Sequence, residues 1–243
     1  VSPLIIGGKT ALLKTRSKIE KSVAEKCNKY EIITHTGTCN EERAKELAKL
    51  AKDEGYDVIV GVGGGVICDF AKLCAHYAHL PIINVPTSSA TCAAYTPLSI
   101  RYTPEGKTIG SLHYSYEVDS VLADTEVIAT QPIRLFLAGV FDALAKFVEI
   151  KQRYSDDTTD YPLGLDYAYV LSKYSFNLLM KNIEDSISDI EAGVISDALE
   201  RVIFTAIAAT GVISGIARGS NQTAIAHKFY EATRRIFYTN TKE

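Results

Sequence analysis

The chain has 243 residues, 47% of them hydrophobic, which is enough to build a sizeable core. Its 26 basic and 29 acidic residues are interspersed and leave a formal net charge of −3, which excludes the basic stripe that nucleic-acid binding requires. No apolar run approaches the ~20 residues that cross a bilayer, no charged-then-apolar signal segment opens the chain, and the five cysteines (Cys27, Cys39, Cys68, Cys74, Cys92) form no C-x-x-C pair. The expectation is a cytoplasmic protein with reduced thiols and neither a nucleic-acid nor a membrane partner.

In chain order, short apolar runs alternate with amphipathic stretches up to about residue 90. They are PLIIGG, a helical pattern over Lys9–Lys29, EIITHT, a helix over Glu41–Glu54, DVIVGV, a helix over Cys68–His79, and PIINVP. That alternation predicts a parallel sheet flanked by helices, and the nearly all-apolar strands predict that both sheet faces are covered. Gly7-Gly8, Gly63-Gly64-Gly65 and Pro86-Thr87-Ser88-Ser89 fall beyond the carboxyl ends of the predicted strands, where such sheets bind ligands. LSIRY-TPEG-KTIGSLHY predicts a β-hairpin over Leu98–Tyr114, and VDSVLADT one more strand. After Gln131-Pro132 helical periodicity takes over. The division expected is an α/β dinucleotide-binding domain over 1–132 and a helical metal and substrate domain over 133–243. VSPLIIGG at the start and RRIFYTNTKE at the end raise the expectation that both termini are cut from a longer protein.

Consecutive glycines let a backbone approach a ligand closely, and a helix starting just after them points free N–H groups at an anion. With Asp69 and Lys72 following and the PTSS loop after the next strand, the glycines favour nucleotide binding over a bare strand-to-helix turn. Asp69 suits helix capping equally well. Asp142 interrupts the apolar face of AGVFDALAKF, and a carboxylate there needs a cation or several donors. His227, in QTAIAHKFYEA, reads by itself as a core histidine. Together, an Asp and a His from separate helices facing the glycine-rich domain could hold a divalent metal beside a bound nicotinamide. His35, His76, His79 and His113 read as structural or exposed.

GVGGGVICDFAK, VPTSSATCAAYTPLSIRYTPEGK and LADTEVIATQPIRLFLAGVFDALAKFVE resemble the iron-containing (group III) alcohol dehydrogenases, in particular their glycerol dehydrogenase and hydroxycarboxylate dehydrogenase branch. The resemblance covers essentially the whole chain and implies the dehydroquinate synthase-like fold: a Rossmann-like parallel sheet domain followed by an all-helical domain. It implies that Gly63, Gly64 and Gly65 hold the pyrophosphate of NAD or NADP, with Asp69 supporting the loop and the helix start. Thr87 and Ser88 would contact the adenosine part, and Thr96, Leu98 and Tyr102 the nicotinamide ribose. Asp142 and His227 match two of three ligands to a divalent metal, zinc ahead of iron. The third ligand is a histidine beyond His227, and none follows it in this sequence.

Three departures from the family pattern bear on activity. Cys92 stands where glycerol dehydrogenases carry a substrate-contacting Asp, a change that suits an acid substrate as well as a merely packed small residue. Gly7-Gly8-Lys9 replaces an acid against the adenosine ribose, which admits NADP. Tyr230-Glu231-Ala232 replaces the usual His-Asn-Gly and alters the pocket rim. The implied activity is hydride transfer between NAD(P) and a metal-bound secondary alcohol, a glycerol-type polyol or a 2-hydroxy acid, by a homo-oligomer acting on a small molecule. Asp142, His227 and Cys92 are the candidate catalytic residues. The alternatives are a dehydroquinate synthase-like lyase and a catalytically silent, truncated nucleotide-binding protein.

Overall fold

In the computed structural model, which describes residues 1–154, 163–218 and 223–237, strand β1 (Pro3–Gly8) lies between β2 (Glu31–His35) and β3 (Val58–Gly63). Beyond β3 the sheet continues through β4 (Ile82–Pro86) and the two-residue β7 (Ser120–Val121), giving the all-parallel order β2-β1-β3-β4-β7. Register is set by pairs such as Ile5 with Val60 and Val60 with Ile83. From β1 the chain steps outward to β2 and then returns to β3 on the other side of β1. The strand order therefore reverses between β1 and β3, and a cleft opens at their carboxyl ends. Those ends carry Gly7-Gly8 and Gly63.

Helices α1 (Lys9–Ala24), α2 (Glu41–Asp53) and α3 (Gly65–Ala78) connect the strands. Leu4, Ile6 and Ile59 from the sheet pack with Leu47, Phe70 and Leu73 from α2 and α3 in one core cluster. Each fully buried side chain of this kind contributes about 1.5–3 kcal/mol. Helix α3 starts at Gly65, three residues before the expected start, with Gly64 as its N-cap and Gly63 closing β3. Helix α1 stops at Ala24, short of Lys29, because residues 25–30 offer no apolar face to bury. The hairpin forms as β5 (Leu98–Tyr102) and β6 (Thr108–His113). VDSVLADT yields only β7, because Asp124 instead caps α4 (Thr125–Ala129) by accepting from Val127 N.

Every described element after β7 is helical: α4, α5 (Ile133–Arg153), α6 (Leu163–Ala192), α7 (Asp197–Phe204), α8 (Thr210–Ala217) and α9 (Ile225–Phe237). A π-helical turn, Thr205–Ala209, joins α7 to α8 without a break. The resulting Asp197–Ala217 helix has 21 residues and is long and apolar enough to cross a membrane, contrary to the sequence expectation. More than half of it is buried within the protein, in contact with α5 and α6. Phe136, Val140, Leu179, Val202 and Ile207 form a second cluster that also takes in Cys68 and Ala94. The helices thus share a core with α3 and with the loop after β4. The closing residues 238–243 lie outside the described residues.

Candidate active site

The glycine bend has two different reasons for lacking side chains. A Cβ on Gly63 would come within 2.7 Å of Ile67 Cγ1, and one on Gly65 within 2.9 Å of Thr91 Oγ1. Packing against Ile67 and Thr91 is thus a reason for bare backbone at these two positions that holds independently of any bound phosphate. Gly64 differs, because a Cβ there meets only Ser88 Oγ at 3.5 Å. It is the N-cap residue of α3 and supplies no side-chain cap, and no acid occupies the first turn. The open backbone and the N–H groups of the helix start are therefore presented beside Ser88. Thr87 joins the same bend through its N–H, which donates to Gly63 O at 3.0 Å.

Lys72 is buried, 2% exposed, and its ammonium is fully engaged. It pairs with Asp69 Oδ1 at 2.9 Å and donates to the carbonyls of Ala93 at 2.7 Å, Thr96 at 2.9 Å and Leu98. Asp69 Oδ2 accepts from Ile100 N at 3.0 Å. Asp69, expected to support the loop and the helix start, directs its carboxylate to Lys72 and Ile100 and so holds the 93–100 segment from behind. Removing either member of such a buried pair strands the other charge, at about 3–5 kcal/mol. Thr96 is buried and Leu98 half-buried, both held by Lys72. Tyr102 sits at the other end of β5, its N–H donating to Cys39 O at 2.9 Å, against the β2–α2 connection.

Asp142 and His227 come together across 85 residues of sequence, with Oδ1 and Nε2 3.4 Å apart. That is longer than a good N–H···O hydrogen bond. It matches the ~3.3 Å edge between two ligands of a tetrahedral cation with bonds of about 2.0–2.1 Å. Burial works to raise the Asp142 carboxyl, but His227 and Lys146 outweigh it and hold the group below the usual range. Asp142 in turn raises the His227 imidazole, against burial and the Lys146 charge. Cys92 lies nearby, buried, with Sγ 4.0 Å from Ser214 Oγ. Burial, then the Asp142 charge, pushes its thiol up to about 11, so it is neutral at ordinary pH.

Two residues that sequence reasoning missed complete the arrangement. Gly139, one turn before Asp142, faces the backbone of Ser89, and a Cβ there would lie 2.7 Å from the Ser89 carbonyl carbon. Nothing in the local pattern marks that contact. Glu149, set between Val148 and Ile150, is 1% exposed and touches His227. Its signal was its place seven residues after Asp142, on the same helix face, with Lys146 between them. Asp142 and His227 fit as two donors to a metal. Among the described residues no group of three His, Cys, Asp or Glu side chains that could hold a metal occurs.

The sequence model of the family described as iron-containing alcohol dehydrogenase matches residues 2–125. The chain is 31% identical to a glycerol dehydrogenase of Escherichia coli over 235 residues, covering 96% of this chain and 63% of that protein. It is 32% identical to hydroxycarboxylate dehydrogenase A of Escherichia coli K12, covering 91% of this chain and 60% of that protein. The crystal structure of glycerol dehydrogenase from Schizosaccharomyces pombe superposes with a TM-score of 0.82 at 25% identity, covering 97% of this chain and 59% of that one. The chain therefore spans about three fifths of the length of these relatives.

Proposed function

This chain belongs to the iron-containing alcohol dehydrogenase family, and from that premise we propose that it carries the cofactor cleft and two metal donors of an NAD(P)-dependent oxidoreductase. Its substrate is a small secondary alcohol, a polyol or a 2-hydroxy acid, or the matching carbonyl compound. The observation that carries this reading is the 3.4 Å approach of Asp142 Oδ1 to His227 Nε2. It lies at the end of a run of contacts from Gly64 through Ser88 and Ser89 to Gly139.

Asp142 and His227 would hold a divalent cation, zinc ahead of iron, which when bound supplies Lewis-acid stabilisation of negative charge on a substrate oxygen. A dinucleotide in the cleft supplies the hydride acceptor or donor. The chain's own residues prepare both places. Gly64 would let the pyrophosphate approach, and the first amides of α3 would donate to its oxygens. Lys72 and Asp69 hold the 93–100 segment in position, and Cys92 lines the site with a neutral group. A carboxylate at that position would repel an acid substrate, so Cys92 favours the 2-hydroxy acid over the polyol. Lys9, exposed at the start of α1 with no acid in that first turn, accommodates a 2′-phosphate and favours use of NADP alongside NAD.

The test is oxidation of NADH and NADPH by the purified protein with dihydroxyacetone and with a 2-oxo acid, before and after chelation. Turnover is expected to disappear with the metal and to return with Zn²⁺; turnover indifferent to chelation overturns the proposal. The other reading is a nucleotide-binding protein without catalysis. Its signature is cofactor binding by calorimetry with no turnover under any of these conditions.

A further inference from the structure

Ala224, which precedes helix α9, has no polar side chain to cap it, and the first helical residues are Ile225, Ala226 and His227. The exposed amides at such an end need acceptors. They find one on a different helix. Glu149 of α5, buried to 1% exposure, accepts from Ala224 N at 2.8 Å and from His227 N at 2.9 Å, both through Oε1. Arg153, one turn further along α5, donates from Nη2 to Thr223 O at 3.0 Å. The start of α9 is thus held in place by the end of α5.

The second oxygen of Glu149 does something different. Oε2 contacts His227 Nδ1, while the other ring nitrogen, Nε2, faces Asp142. An ionised carboxylate can only accept, so the Nδ1 position must carry the proton of that contact. In a neutral imidazole this leaves the Nε2 lone pair aimed at the Asp142 carboxylate, two acceptors facing one another at 3.4 Å. With the ring neutral, such a pair is repulsive unless a cation lies between them; protonation of the ring, or a metal ion, relieves it. If the proton sat on Nε2 instead, His227 would donate to Asp142 and the two groups would close on each other.

We propose that Glu149 is the positioning residue of this site: it fixes His227 as the Nδ1–H tautomer and so keeps Nε2 open as a donor to a divalent cation shared with Asp142. The assignment rests on the metal-site reading for its purpose but not for its geometry, which is a property of the metal-free chain. Carboxylate partners of this kind orient the imidazole and typically change metal affinity 10–100-fold when removed.

Glu149→Gln separates the two oxygens. The Gln Oε1 keeps the bonds to Ala224 and His227 N–H, because the opposite amide orientation would set its NH₂ against two backbone donors. Its NH₂ then faces Nδ1 and donates to it, which moves the ring proton to Nε2. The experiment is imidazole ¹⁵N NMR of the metal-free protein at a pH where the ring is neutral, with the His227 signals assigned by their loss in His227→Asn. A Co²⁺ titration followed by visible absorption runs alongside. Wild type is expected to show Nδ1–H, and Glu149→Gln to show Nε2–H with Co²⁺ bound 10–100-fold more weakly at a nearly unchanged melting temperature. An Nε2–H tautomer in wild type, or a Glu149→Gln protein with unchanged tautomer and Co²⁺ affinity, overturns the assignment. The wild-type spectrum alone decides should the variant fail to fold. An Nδ1–H wild type that binds no Co²⁺ leaves the tautomer assignment standing and counts against the metal-site reading instead.

Discussion

At Cys92 the chain has a thiol between a buried loop and the Asp142 carboxylate, and both influences keep it protonated, with its pKa pushed up to about 11. A thiol held there is a poor nucleophile and carries no charge to repel an acid. Its effect is on substrate choice. Cys92→Asp would place a second carboxylate beside Asp142 and is expected to lower kcat/KM for a 2-oxo acid relative to dihydroxyacetone by about tenfold or more, roughly 1.4 kcal/mol of discrimination. Steady-state comparison of the two substrates in wild type and variant checks this; an unchanged ratio removes Cys92 from the specificity argument.

The elements around the cleft are held by polar contacts between them as much as by their cores. Helix α2 illustrates this. Its N-cap Asn40 accepts from Arg43 N at 2.9 Å, and Glu41 in the first turn pairs with Lys45 at 2.7 Å and with Arg101 of β5 at 3.0 Å. Lys45, then Tyr77 and Arg101, lower the Glu41 carboxyl to about 2. Because the folded pKa lies below the ordinary value of 4.5, the stabilisation is complete above about pH 4.5 and fades as the pH falls through about 2. The pair is partly exposed to solvent, which limits its contribution to no more than about 1 kcal/mol. Glu41→Gln should therefore lower the urea midpoint at pH 7 by a small amount and leave it unchanged near pH 2. Equal differences at both pH values would show that the charge does not tie α2 to the hairpin.

On the scale of the whole molecule, the decisive contact is where the helical part meets the sheet. Helix α5 lies directly on the backbone of the loop after β4, with Gly139 against Ser89. Ser89 is itself pinned by Gln131, which accepts from its N–H at 2.8 Å and donates to its Oγ at 2.9 Å. Gly139→Ala leaves no space for the new methyl group without moving the helix or the loop, and backbone gives way less readily than a side chain. The expected cost is about 1–3 kcal/mol in urea unfolding. Asp142, one turn along, moves with the helix, so Co²⁺ affinity should fall in the same variant. A variant as stable as wild type would show that this docking is looser than the geometry requires.

Much of this organisation follows from the order of residues alone. The apolar runs PLIIGG, DVIVGV and PIINVP, alternating with helical stretches, already require a parallel sheet, and the turn TPEG already requires the hairpin. These are local signals, read within ten or so residues, and the cleft at the carboxyl ends follows from sheet topology. The glycine bend stands out by the same local pattern, whereas Asp142 and His227 stand out as a pair only through the family resemblance. The partners of those residues do not stand out. That Lys72 binds three carbonyls, that Gly65 packs against Thr91, that Gly139 rests on Ser89, and that Glu149 reaches His227 all depend on segments brought together by folding, in the last case 78 residues apart. Sequence periodicity specifies which face of an element is buried. Which atom it meets there is decided only when the elements pack, since that depends on backbone positions that no local pattern encodes.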